Sequence, residues 1–213
     1  MTGSWYAQLA FGPLAAVYDL LTRHDAWAKD AAALAALVPG PRVLDVGVGP
    51  GPTALAMAAA APEVRLVGVD RSAAMIRRCA VRAREAGAPL TLLRADAIAL
   101  PFRDGAFDGA TGHSVLYLLP DPAAALAEIR RTLRPGGRVA LLEPRAEPGA
   151  LGAAARSGLR HAAAMALWRG MSRLHRRFDE DTLTRALAAA GLAGARSFPA
   201  LDGYGVIGTA TRP

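Results

Sequence analysis

The chain predicts an α/β fold: a single doubly wound sheet of seven strands, mostly parallel with a C-terminal antiparallel hairpin strand, and helices on both faces. Three observations lead there. Short β-branched or apolar runs alternate with stretches of helical period. Glycine or proline marks most of the changes between them. The last two runs meet at Asp202-Gly203, which reads as a hairpin turn. Strands alternating with helices imply parallel pairing through right-handed crossovers. The 213 residues suffice for one such domain with a real core and are short for two.

The elements follow in order. Ser4 to Arg23 places Leu9, Pro13, Leu14, Val17, Leu20 and Leu21 at helix-like spacing, interrupted by Gly12-Pro13. Trp27 to Val38 predicts a second helix, stopped by Pro39-Gly40-Pro41. Arg42 to Val46 is a β-branched run ending in glycines, hence a strand. Thr53 to Ala61 is alanine-rich helix stopped by Pro62, and Val64 to Val69 is a strand. Ser72 is a good N-cap for a helix through Ala86, closed by Gly87. Leu90 to Leu93 and Phe107 to Val115 are strands. Asp121 caps a helix with Ala125, Ile129 and Leu133 on its apolar face, ending at Pro135-Gly136-Gly137. Arg138 to Leu142 is the fifth strand. Gly149 to Arg177 reads as helical, broken near Gly158 and Gly170. Asp179 caps a helix to Ala190, closed by Gly191, and Ala195 to Leu201 and Tyr204 to Ala210 form the hairpin.

Composition narrows the class. With 53% hydrophobic and 20% charged residues the chain is an ordinary globular protein, not a disordered or collagen-like one. A single cysteine, Cys79, excludes an intramolecular disulfide framework and a multi-cysteine metal site, and points to a reducing compartment. No apolar stretch of 18 residues lacks a charge, and Met1 to Ala10 lacks the basic start of a secretory signal. The expectation is a cytoplasmic protein. The net charge is +7, and of 25 basic residues only Lys29 is lysine. That bias reads either as a GC-rich genome or as an anionic partner.

The strongest chemical signal is Val43-Leu44-Asp45-Val46-Gly47-Val48-Gly49-Pro50-Gly51-Pro52, between a strand and a helix. Its glycines let backbone approach a ligand closely. A dinucleotide fingerprint read from Gly47 or from Gly49 needs a glycine where Pro52 or Ala54 stands. Asp45 before the loop repels a pyrophosphate and suits a cationic ligand, or else bonds the loop's own N–H groups. A nicotinamide oxidoreductase is disfavoured on both counts. Asp70 ends the second strand, 19 residues after Gly51, where an acid can bond both hydroxyls of a ribose. Its other reading, helix capping, is already served by Ser72. Asp96 follows the third strand, either as a turn residue or as acceptor from an adenine amino group.

These segments, with Leu133-Arg134-Pro135-Gly136-Gly137-Arg138-Val139-Ala140-Leu141, resemble the class I S-adenosylmethionine-dependent methyltransferases. The resemblance covers roughly residues 40 to 145 and is strongest to the small-molecule and lipid type, which includes the quinone-biosynthesis enzymes. It implies a Rossmann-like sheet. It implies that Gly47, Gly49 and Gly51 cradle the methionine part of S-adenosylmethionine and that Asp45 orients the loop. Asp70 would bind the ribose, and Asp96 and the Ala97 backbone the adenine, with Arg71 and Met75 flanking the ring. Thr111, Gly112 and His113 would approach the methionine amine and the sulfonium. Val48 and Pro50 depart from the small residues common in this loop.

Methyl transfer from a sulfonium is an in-line displacement, in which positioning can supply on the order of 7 to 11 kcal/mol. A base is needed only where the acceptor must lose a proton. His113, just past the fourth strand, is the candidate, with a packing or solvent-facing role as the alternative. Tyr117, Tyr6 and Tyr18 are candidate substrate contacts. His24, His161 and His175 form no metal-ligand pattern, so no metal is expected.

In this fold residues 1–38 would form a helical cap and 148–178 a lid at the acceptor pocket. Pro148 to Phe178 holds Arg156, Arg160, Arg169, Arg173, Arg176 and Arg177 with no acid, beside Trp168, another candidate substrate contact. The stretch 156–177 reads either as a solvated lid helix or as a basic helix touching anionic membrane. The expected activity is methylation of a small or lipid-like acceptor, at O or C of an aromatic or quinone-type metabolite. The alternatives are N-methylation of an amine or phospholipid head group, and a cofactor-binding protein without turnover. Nucleic acid is not expected as partner, since no Asn/Asp-Pro-Pro-aromatic motif follows the fourth strand. The oligomeric state is left open.

Overall fold

The computed structural model describes residues 25–38, 40–147, 158–172 and 175–213. Helix α1 (Asp25–Ala36) leads into β1 (Arg42–Val46), α2 (Pro52–Ala60), β2 (Arg65–Asp70), α3 (Ala73–Glu85), β3 (Leu90–Arg94) and β4 (Phe107–His113). A 3₁₀ turn (Leu116–Leu118) precedes α4 (Pro122–Thr132) and β5 (Leu133–Pro144). Then come α5 (Leu159–Ser172), α6 (Glu180–Ala189), β6 (Ala193–Ala200) and β7 (Gly205–Thr211).

The seven strands lie in the order β3-β2-β1-β4-β5-β7-β6. The pairs β1–β2, β1–β4, β2–β3 and β4–β5 are parallel, and β7 runs antiparallel to both β5 and β6. The order reverses at β1 and β4, so the loops leaving these two strands diverge at one edge of the sheet. Central strands are buried on both faces: β4 exposes none of its residues, whereas the outer strands β3 and β6 are largely exposed. One core joins Leu44, Val46, Ala110, Leu141 and Val206 to Leu126 and Ile129 of α4 and Leu183 and Leu187 of α6. The other joins Val43, Ala140, Leu142 and Ile207 to Leu34 of α1, Met57 of α2 and Met165 and Trp168 of α5.

The predicted caps are present. Ser72 accepts from the Met75 N–H, Asp121 from Ala124 and Asp179 from Thr182. Several boundaries differ from expectation. Strand β5 begins at Leu133 instead of Arg138, so Pro135-Gly136-Gly137 falls within it. The last hairpin turns through a 3₁₀ turn at Leu201–Gly203, with Leu201 and Asp202 at positive φ, so β6 ends at Ala200 and β7 starts at Gly205. Helix α4 ends at Thr132, not at Pro135, because Leu133 is drawn into the core opposite Phe107 and Arg134 stands before a proline. Strand β4 stops at His113, since Ser114 turns the chain with φ +60°. Helix α5 runs through Gly170 unbroken; residues 148–157 of the expected helical stretch lie outside the described residues, as do 1–24.

Asp108 ties the lower ends of the strands together. It accepts from the Arg42 backbone N–H at 3.0 Å and from the Arg134 guanidinium at 2.5 Å.

The bulky Val48 in the glycine loop has a structural counterpart. Its side chain is buried over β2, where Gly68 leaves room: a Cβ on Gly68 would lie 2.8 Å from Val48 Cγ2 and 2.9 Å from Leu92 Cδ2. The Val48 N–H also donates to the Val69 carbonyl at 2.9 Å. Gly68→Ala is therefore expected to cost about 1–3 kcal/mol by overpacking, read by urea denaturation. Adding Val48→Ala should recover part of the loss. An unchanged single variant would contradict this packing.

Candidate active site

The loops leaving β1, β2, β4 and β5 meet at the carboxyl edge of the sheet. Those after β1, β2 and β4 are each held by a carboxylate on a strand. Asp45, on β1, is buried and lies opposite Thr111 of β4, whose hydroxyl donates to Asp45 Oδ1 at 2.8 Å. It also accepts from the Ala54 N–H in the first turn of α2. Burial pushes its carboxyl up to about 6 against these two donors. Of the readings for Asp45, bonding of nearby backbone takes the form of a contact to the first turn of α2 and not to the N–H groups of the glycine loop.

Asp70, at the end of β2, reaches across to the glycine loop. Its Oδ2 accepts from the Gly49 N–H at 3.0 Å and its Oδ1 from the Ser72 N–H at 2.8 Å. Each oxygen keeps lone-pair capacity for a further donor. Burial raises its carboxyl above the usual carboxylate range, opposed by those two N–H groups. Gly47 has φ +66°, and a Cβ there would lie 2.6 Å from Val115 Cγ2, so the turn after β4 packs directly on bare backbone. Among the described residues only the Gly47 carbonyl lies within 4 Å of a Cβ built on Gly49. Gly51 is the N-cap of α2, and Pro52 occupies its first turn.

Asp96 is exposed and accepts from the Ile98 N–H at 3.2 Å, so its turn role is realised while one oxygen stays available. Ala97 beside it is buried. Arg71 is exposed, its carbonyl accepting from Arg94 Nε, and Met75 is buried in the first turn of α3.

Gly112 and His113 close β4. The His113 Nε2 is enclosed, and burial lowers the imidazole pKa to about 4. At neutral pH the ring is uncharged and a weak base. Two nearby buried hydroxyls, Thr53 Oγ1 in the first turn of α2 and Ser114 Oγ after β4, have no hydrogen-bond partner among the described residues.

Glu143 on β5 was not singled out by sequence. It is fully buried, and its carboxylate accepts the N–H groups of Val115 (3.1 Å), Leu116 (2.8 Å) and Tyr117 (3.2 Å). Burial pushes it up to about 7 while the three donors pull down. The available signal was one acid inside the apolar run Ala140-Leu141-Leu142-Glu143.

The remaining expected contacts divide. Tyr117 is buried, with its ring edge-on to His175 at 5.7 Å. Trp168 is buried in the second core. Tyr6 and Tyr18 lie outside the described residues. Burial pushes the Cys79 thiol up to about 12, so it stays protonated and no nucleophile at neutral pH. Among the described residues no group of His, Cys, Asp and Glu could hold a metal ion.

Because Asp45 has a raised pKa, the folded chain holds this proton better than the unfolded chain. Its contribution to stability is complete below about pH 4 and is lost as pH rises to about 6. Relative to Asp45→Asn, the wild type should lose up to about 1.4 kcal/mol per pH unit across that window and nothing further above it. Denaturation curves at several pH values measure this; parallel curves for the two proteins would contradict it.

Comparison with known proteins agrees with this arrangement. Residues 43–137 match the Methyltransferase domain family. The chain is 37% identical over 149 residues to a demethylmenaquinone methyltransferase of Thermus thermophilus, covering 67% of this chain and 68% of that one. It is 35% identical over 142 residues to a 2-phytyl-1,4-naphtoquinone methyltransferase of Synechococcus elongatus, covering 62% and 61%. A SAM-dependent methyltransferase of Thermotoga maritima shares the fold with TM-score 0.71 at 21% identity, over 98% of this chain and 99% of that one. On this identity and family match, the chain belongs to the class I S-adenosylmethionine-dependent methyltransferases.

Proposed function

We propose that this methyltransferase acts on a small, lipid-like acceptor of the quinol type, methylating oxygen or carbon. The identity to quinone methyltransferases over 62% to 67% of the chain carries this reading. The residues present fit the cofactor. Two carboxylates at adjacent strand ends suit a ligand with cationic groups and a diol. Among the described residues Gly49 has only the Gly47 carbonyl within 4 Å of a built Cβ, and the hydroxyls of Thr53 and Ser114 lack partners. When bound, S-adenosylmethionine supplies a methyl already activated by its sulfonium.

The chain's own residues then have positioning work. Asp70 holds the ribose hydroxyls on the lone pairs that Gly49 and Ser72 leave. Asp96 and the Ala97 backbone hold the adenine, between Arg71 and Met75. Asp45 fixes the glycine loop through Ala54 and is fixed by Thr111. His113 and Gly112 border the methionine end. Burial leaves His113 neutral, which favours contact over proton abstraction. An acceptor that enters as an ionised quinol needs no base from the protein.

Residues 1–38 and 148–178 serve as cap and lid in this reading. Trp168 supports the lid from the core. Among the described residues no helix is long and apolar enough to cross a membrane. Leu159 is 85% exposed at the start of α5, and Arg176 is exposed beyond its end, a combination suited to an anionic lipid surface.

Asp70→Ala should weaken S-adenosylmethionine binding by about 1–3 kcal/mol, measured by calorimetry, because a half-buried ionised acceptor is lost. Unchanged affinity in a folded variant would contradict the ribose assignment. Labelled methyl transfer to a demethylated isoprenoid naphthoquinol tests the acceptor class. Transfer should occur, and faster from anionic than from zwitterionic vesicles. Transfer to ethanolamine head groups alone would overturn the quinol reading.

A further inference from the structure

Glu143 is a buried carboxylate that the methyl-transfer chemistry does not call on. It is 0% exposed, and it lies on the sheet face of Val139 and Leu141, whereas His113 pairs with Leu142 and lies on the other face. A bare carboxylate in such a place costs several kcal/mol unless donors surround it. Here three consecutive backbone N–H groups, from Val115 to Tyr117, converge on its two oxygens. The turn they hold is an unusual one. Ser114 enters it at φ +60°, a region sparsely populated by residues other than glycine, with its N–H donating to the Leu142 carbonyl at 2.7 Å.

The held turn transmits contact to the cofactor loop. Val115 presses one methyl toward Gly47 and the other toward Gly112: built Cβ atoms there would lie 2.6 Å from Cγ2 and 3.0 Å from Cγ1. A continuous path therefore runs from the Glu143 carboxylate through the Val115 N–H to the Val115 side chain and on to the backbone of both glycines. The path ends on the Gly47 side of the site. Asp70 and Asp96, assigned to the nucleoside, bond neither the turn nor Glu143.

We propose that Glu143 is a positioning residue of the cofactor site: by holding residues 115–117 it sets Val115 against Gly47 and Gly112, and so shapes the part of the site that takes the amino-acid end of the cofactor. The inference rests on reading the strand-end site as the S-adenosylmethionine site, and it assigns Glu143 no contact with the ligand.

The test compares two ligands that share the nucleoside, S-adenosylhomocysteine and 5′-methylthioadenosine, which lacks the amino-acid end. By calorimetry, Glu143→Gln should weaken S-adenosylhomocysteine about tenfold, the worth of roughly one hydrogen bond, and leave methylthioadenosine within about threefold. Amide hydrogen exchange should accelerate at residues 115–117 while α4 and β5 keep their protection. Glu143→Asp, which retains the charge, should recover part of the loss. Val115→Ala removes the wedge without touching the buried acid and should give the same split between ligands; it decides the matter if Glu143→Gln does not fold. Equal loss for both ligands would show a general structural role and overturn the proposal, as would unchanged S-adenosylhomocysteine affinity in both variants. Wild-type protein that takes up neither nucleoside would overturn the cofactor-site reading itself, and this inference with it.

Discussion

Parallel strands send their loops to one edge of the sheet, and those loops carry N–H groups that no ladder satisfies. In this chain strand-end carboxylates take them up. Asp45 receives Ala54, Asp70 receives Gly49 and Ser72, and Glu143 receives Val115, Leu116 and Tyr117. Each acid links its own strand to a loop distant in sequence or to the start of the next helix. The cost is desolvation, which raises all three above ordinary carboxylates. The return is a set of anchored loops in which, among the described residues, only the Gly47 carbonyl comes within 4 Å of a Cβ built on Gly49. Pre-positioning of this kind is what displacement at an already activated methyl requires from a protein.

The two loop residues that depart from the family's small ones are each met by a neighbouring element. Val48 is large for this loop, yet Gly68 on β2 clears the volume it needs. Pro50 has its carbonyl bonded by Arg82 from α3 at 3.1 Å, so that helix, too, anchors the loop. The loop's fit therefore depends on neighbours that lie beyond the glycine pattern.

Much of this was legible in the sequence where the signal is local. The strand β1 and the Ser72, Asp121 and Asp179 caps follow from adjacent residues. The pairing of the last two strands does too, although they are joined by a 3₁₀ turn over Leu201–Gly203 and not by a two-residue turn. Asp70 could be singled out because its place after a strand and its distance from the glycines are both readable. What escaped depends on contacts distant in the chain. Glu143 meets its donors 26 to 28 residues away, and as a sequence feature it is one acid in an apolar strand. The early end of α4 depends on Leu133 pairing with Phe107. The neutrality of His113 comes from burial, which its neighbours in sequence do not announce.

A crystal structure with S-adenosylhomocysteine bound tests the central claim most directly. The account predicts both ribose hydroxyls on Asp70, with the Gly49–Asp70 bond and the three amide bonds to Glu143 intact. A ligand seated elsewhere, or carboxylates that have released those amides to receive it, would contradict it.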